Sequence, residues 1–273
     1  MKTLIPTSLV ILTLYFFSSC QTDNNNTNTA INTKDSTTVV EPTPQKDFPE
    51  KISFLSLDSL EITAHLYHKH DTAKTIVLCH QARWNKYEYD SIALVLHEKG
   101  FNCIATDQRS GGPMGDSSEY VNETFLRAQK AEKPTDYLDA HQDIDAAVAY
   151  ASQKYQKPVI LWGSSYSSTL ALYTAIALDN VAAVISFSPG NYFSEEKGDL
   201  VELLVNFEKP MFVTSSKEEA AELTELVAKR KLTDKQVHFI PTGDGYHGSR
   251  ALWKKNAGNE EYWTAINSFL NNL

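Results

Sequence analysis

From Lys51 onward the chain alternates short apolar β-type runs with stretches of helical periodicity, and that alternation admits few architectures. TIVLCH, FNCIATD, VILW, VAAVISFS, PMFVTSS and QVHFIP are the runs, and they carry almost no charge. Strands this apolar are buried on both faces, as in a parallel sheet covered by helices. The covering helices are expected in YDSIALVLHEKG, with Gly100 as its stop, in DYLDAHQDIDAAVAYASQK, in KEEAAELTELVAKRK and in EEYWTAINSFLNN. KISFLSL and LEITAHLYH read as an opening antiparallel hairpin, which makes the sheet mixed. The expected fold class is therefore α/β, a mostly parallel twisted sheet with helices on both faces. Ligands of such sheets bind beyond the carboxyl ends of the strands.

One of those strand ends is unusual. In KPVILWGSSYSSTLALYTA an uncharged strand stops at Gly163, presents Ser165, and turns at once into a helical stretch. Strand, sharp turn, serine and helix make an elbow that lifts a hydroxyl above the sheet. In such a turn the residues two before and two after the serine approach closely, so both must be small. Centring on Ser165 puts Gly163 and Ser167 there, whereas Ser164 would require Trp162 and Tyr166 to share that space.

A nucleophilic serine needs a base, and the base needs an orienting acid. Of the eight histidines, His247 is the one in a loop after a late strand, in TGDGYHGSRAL. In PMFVTSSKEEA, Glu218 stands just past the strand end and is the preferred acid; Glu219 and Asp244 are its rivals. Glu219 could instead begin the following helix with its side chain in water. The oxyanion of an acyl-transfer intermediate requires two preorganised amides. Tyr166 supplies one, and Ala82, after TIVLCHQ, supplies the other. Gln81 could narrow the site or hydrogen-bond substrate, and Arg109 in DQRSGG could bind a substrate carboxylate or brace its loop. His80 is read as organising the strand-end turn.

TIVLCHQA, ATDQRSGG, DIDAAVAYA, GSSYS, SSKE and GYHGS occur in the order found in the α/β-hydrolase superfamily, which the chain resembles across nearly all of residues 50–273. The pattern is most similar to the dienelactone-hydrolase-like and related serine esterase or peptidase branches. The resemblance implies an α/β-hydrolase fold, a Ser165, Glu218 and His247 triad, and an oxyanion hole of the Ala82 and Tyr166 amides. It implies a serine hydrolase acting on a small-molecule acyl substrate; a catalytically silent binding protein of this fold is the competing reading. Three departures stand out: Gln81 and Ser167 occupy positions usually glycine, and the acid is glutamate rather than aspartate. The cysteine nucleophile of dienelactone hydrolase itself is absent.

The N-terminus, MKTLIPTSLVILTLYFFSSC, has one positive residue, a short apolar stretch, and small residues before Cys20. It resembles a bacterial lipoprotein signal over residues 1–19, which implies lipid on Cys20 and a place in the cell envelope, on a membrane. Residues 20–49 are Asn- and Thr-rich and read as a disordered tether to a single domain, 50–273. The formal charge of −9 becomes one unit more negative once Lys2 leaves, which argues against nucleic acid as a partner. Cys79 and Cys103 lie inside apolar runs and are expected as buried free thiols rather than a disulfide. His65, His68 and His70 suggest a solvated strand end rather than a metal site, having no carboxylate or cysteine at ligand spacing. No cofactor is expected. Residues 110–135, with Met114, Tyr120 and Phe125, are expected as a long polar loop that roofs the pocket together with NYFSEEKGDLVELLVNF.

Overall fold

A computed structural model describes residues 48–112 and 119–273. The signal segment, Cys20, the tether up to residue 47, and Met114 lie outside the described residues. Eight strands form one sheet in the order β1-β2-β4-β3-β5-β6-β7-β8. They are β1 (Glu50–Leu55), β2 (Glu61–Tyr67), β3 (Thr75–Cys79), β4 (Asn102–Thr106), β5 (Val159–Ser164), β6 (Val181–Phe187), β7 (Met211–Thr214) and β8 (Gln236–Phe239). β1 and β2 are the expected hairpin, with Ile52 opposite Ala64, and β2 meets β4 antiparallel. From β4 to β8 every pairing is parallel.

The helices are α1 (Asp90–Glu98), α2 (Glu123–Lys130), α3 (His141–Tyr155), α4 (Tyr166–Ala177), α5 (Ser194–Lys197), α6 (Leu200–Leu203), α7 (Ala220–Val227) and α8 (Asn259–Asn271). Because side chains alternate along a strand, each central strand feeds two cores. Val77, Cys79, Leu161 and Val213 pack with α3, α4 and α7, through residues such as Ile144, Leu170 and Leu223. Ile76, Leu78, Trp162 and Phe212 pack on the other face with Ile92 and Leu96 of α1 and Ile266 and Phe269 of α8. This two-sided burial is why the runs carry no charge.

Cys79 and Cys103 are free and fully buried, one in each core. Their placement on opposite faces of the sheet keeps the sulfurs apart, and burial pushes the Cys79 thiol up to about 12.

Two expectations change. The 110–135 segment is not all loop: α2 forms there, capped by the Asn122 side chain, which accepts from the Phe125 N–H at 2.8 Å. Only Thr124 and Ala128 of α2 are fully buried, so its apolar stripe is too thin to stand out in the sequence. The folded domain also begins before residue 50, since the Phe48 ring lies 4.6 Å from His97 and 6.4 Å from Tyr67, centroid to centroid. No helix among the described residues is long and apolar enough to cross a membrane.

Candidate active site

β5 ends in the elbow foreseen from its small residues. Ser165 has φ 59° and ψ −127°, a region that L-residues populate only under constraint. The constraint is visible: its N–H donates to the Phe187 carbonyl at 2.8 Å, and α4 starts at the next residue. A Cβ on Gly163 would lie 2.4 Å from the Ser167 carbonyl oxygen and 2.4 Å from the Ser168 Cα, so only glycine fits. Ser167 is more than a tolerated substitute for glycine. Its hydroxyl accepts from the Ser164 N–H at 2.9 Å and lies 2.8 Å from the Cys79 carbonyl, tying the elbow to the end of β3.

His247 follows β8 in a loop and brings Nε2 to 2.8 Å from the Ser165 hydroxyl. Its Nδ1 hydrogen-bonds the carboxylate of Glu219, not of Glu218. Glu218 is exposed in the turn after β7, and the exposed Asp244 meets that turn through its backbone, its carbonyl accepting from the Lys217 N–H at 2.8 Å. The correction is one residue, and its cause is the turn. Residues 217–219 form the turn, α7 begins only at Ala220, and Glu219 therefore folds back toward the strand end instead of pointing into water. Its second oxygen accepts from the Ser188 hydroxyl (2.8 Å), the Ser216 hydroxyl (2.8 Å) and the Ser216 N–H (3.1 Å).

Burial alone would raise the Glu219 pKa. The His247 hydrogen bond and charge, with the Ser188 and Ser216 donors, outweigh it and hold the carboxyl at about 2. An ionised carboxylate on Nδ1 leaves the proton there and Nε2 free to accept from Ser165. Ser188 was not foreseen. Its hydroxyl donates to Glu219 and accepts from the Gly248 N–H at 2.9 Å, joining the acid to the histidine loop.

Ser165, His247, Gln81, Ala82, Arg83, Trp84 and Arg250 line one cleft of about 270 Å³ at the carboxyl ends of β3, β5 and β8. The Tyr166 amide is the first donor of α4, a position with no partner inside the helix. Gln81 is buried beside the serine. In the amide orientation that satisfies its neighbours, its oxygen accepts from Arg250 Nε at 3.2 Å and Trp84 Nε1 at 3.1 Å. Gln81 thus shapes the wall of the cleft.

Arg109 is not brought to the cleft. It is fully buried, donating to Asp143 (Nη2 to Oδ1 2.7 Å) and to Asp58 (Nη1 to Oδ2 2.8 Å), and so braces the loop after β4. The guanidinium holds the Asp58 carboxyl well below the usual carboxylate range. His80 is likewise internal: Nε2 accepts from the Gln108 N–H at 3.0 Å, while Nδ1 donates to the Gln81 carbonyl at 2.8 Å. Burial holds its pKa down at about 4, which keeps it neutral. His65 is buried against Asp90, not in solvent, and His68 and His70 hydrogen-bond separately to Tyr155 and Thr72.

Beside the cleft, and sharing Arg83 with it, a trough of about 740 Å³ is lined by residues that include Ser110, Phe125, Tyr137, Tyr192 and Phe193. Ser110 and Phe125 belong to one of the segments expected to roof the pocket and Tyr192 and Phe193 to the other, while Tyr137 lies just beyond the first.

Sheet order, crossover helices and the strained serine turn after β5 decide the architecture. The chain has the α/β-hydrolase fold. Solved structures that resemble it include an esterase from Pyrococcus furiosus, at TM-score 0.64 and 15% identity over 82% of this chain and 93% of that one. A dienelactone hydrolase from Anabaena variabilis matches at TM-score 0.58 and 12% identity, over 83% of this chain and 99% of that one. An acylaminoacyl peptidase from Pyrococcus horikoshii matches at TM-score 0.57 and 16% identity, over 83% of this chain but 42% of that one. At these identities the likeness is one of fold. No protein-family model matches the sequence, and no curated protein matches it.

Proposed function

We propose that the chain is a serine hydrolase that cleaves an ester or related acyl bond through an acyl-enzyme. The observation that carries this is the unbroken hydrogen-bond chain from the Ser165 hydroxyl through His247 to the Glu219 carboxylate. Ser165 Oγ attacks the acyl carbon and its proton passes to His247 Nε2, while the Ala82 and Tyr166 amides receive the developing oxyanion. His247 then protonates the departing alcohol. Water, deprotonated by the same imidazole, releases the acid and restores Ser165. Glu219 stays ionised throughout and stabilises the imidazolium.

Carboxylic esters are the preferred substrate class. The small open cleft beside an aromatic trough suits a compact acyl or alcohol group. A serine peptidase would use the same residues. Cys20, as the lipidated N-terminus after removal of the signal, would tether the domain to an envelope membrane. The test is turnover of a graded series of p-nitrophenyl esters beside aminoacyl amides. Hydrolysis by the wild type and its loss in Ser165→Ala is expected; wild-type inactivity on every compound would favour the silent binding fold.

A further inference from the structure

Glu88 is a carboxylate with no exposed surface, and the proposed reaction does not use it. It lies within a short 3-10 turn at residues 86–89, just before α1, and its two oxygens reach different loops. Oε2 accepts from the Gln81 N–H at 2.7 Å; Oε1 accepts from the Ser164 hydroxyl at 2.7 Å. The Ser164 hydroxyl in turn accepts from the Ser249 N–H at 2.9 Å. The loop after β3, the elbow after β5 and the histidine loop after β8 therefore converge on one buried carboxylate. The fit is tight: a Cβ on Gly248 would stand 2.5 Å from Ser164 Oγ. The Trp253 indole N–H, donating to the Glu88 carbonyl at 3.0 Å, fixes the backbone that presents the group.

In this arrangement both oxygens accept, one from the Gln81 N–H and one from the Ser164 hydroxyl, as an ionised carboxylate does. Burial pushes the carboxyl up to about 7, opposed by the Gln81 and Ser164 hydrogen bonds and by the charges of Arg250 and His247. A raised folded-state value means that the carboxylate is held at a cost in stability. A group retained at such a cost, touching neither Ser165 nor His247 directly, calls for a role in aligning what surrounds them.

Resting on the hydrolase reading above, we infer that Glu88 is a positioning residue that holds the Gln81–Ala82 oxyanion loop in register with the Ser165 elbow, through Ser164. The amide that faces the oxyanion belongs to Ala82, one residue beyond the N–H that Glu88 grips. Release of that grip lets the donor drift from the place where charge develops, an error felt in the transition state and not in ground-state binding.

The experiment compares wild type, Glu88→Gln, Ser164→Ala and the double variant on p-nitrophenyl acetate, with Tm measured for each. Loss of a whole oxyanion donor costs about 10²–10³ in kcat, so a displaced one is expected to cost about 10–100-fold, with KM within about threefold of wild type. Glu88→Gln, relieved of a buried charge, is expected to keep or raise Tm, and the double variant to be no slower than the slower single one. Glu88→Gln with kcat within twofold of wild type overturns the inference, as does a loss of kcat that merely tracks a fall in Tm. If Glu88→Gln does not fold, Ser164→Ala decides by the same kcat criterion, since it frees the elbow while leaving Glu88 on the Gln81 amide. An inactive wild type overturns the hydrolase reading itself; an active wild type with unaffected variants overturns this inference alone.

Discussion

Replacing Glu219 by glutamine exchanges one oxygen for an amide nitrogen, and the structure dictates which way that amide turns. The oxygen now bonded to Ser188 and Ser216 faces three donors: two hydroxyls and a backbone N–H. In Glu219→Gln the carbonyl oxygen must stay with them, so the NH₂ group faces His247 Nδ1. Two donors cannot share that contact, and the imidazole moves its proton to Nε2 to let Nδ1 accept. Nε2 then cannot take the Ser165 proton. The equivalent acid-to-amide change in a serine-protease triad costs about 10⁴ in kcat, or about 5.4 kcal/mol of barrier. The same loss is expected here on p-nitrophenyl acetate, with KM little changed. Glu218→Gln, in an exposed side chain, is expected to stay within about twofold of wild type. Less than a tenfold loss in Glu219→Gln, or a loss of about 10³ in Glu218→Gln, would refute the assignment of the acid.

Gly163→Ala drives a methyl into backbone atoms 2.4 Å away that cannot yield; a destabilisation of about 3 kcal/mol or more is expected, visible as a Tm drop of roughly 6–12 °C. Arg109→Ala leaves Asp143 buried and unpaired and is expected to cost about 3–5 kcal/mol in urea unfolding; KM of the folded fraction should not change, as it would if Arg109 bound substrate. The depressed Glu219 pKa gives stability that is fully present above the ordinary carboxylate value and is lost as pH falls toward about 2, so the Tm gap between wild type and Glu219→Gln should close over that acid range.

The architecture was readable because two-sided burial leaves a plain mark: strands without charge, separated by helical periodicity. The elbow was readable for a steric reason, since centring it on Ser165 brings small Gly163 and Ser167 together where centring on Ser164 would bring Trp162 and Tyr166, and at Gly163 there is no room for a Cβ. The carboxylate that meets His247 was missed by one position, because the choice between Glu218 and Glu219 depends on how a three-residue turn closes, and composition carries no record of that. Arg109 was open to both roles, substrate binding or bracing its loop, and what decides for the brace is out of sight in the sequence: its partners Asp58 and Asp143 stand 51 and 34 residues away. The same distance hid Glu88. Its bond to Ser164 spans 76 residues, and nothing in NKYEYD marks a carboxylate that will be buried. The helix at 123–130 escaped because a segment with two buried positions writes almost no apolar pattern.

Labelling the purified protein with a fluorophosphonate, followed by peptide mapping of the adduct by mass spectrometry, tests the central claim most directly. One adduct on Ser165 in the wild type, none in Ser165→Ala, and strongly slowed labelling in His247→Ala are expected. No labelling of the wild type, or equal labelling of Ser165→Ala, would contradict it.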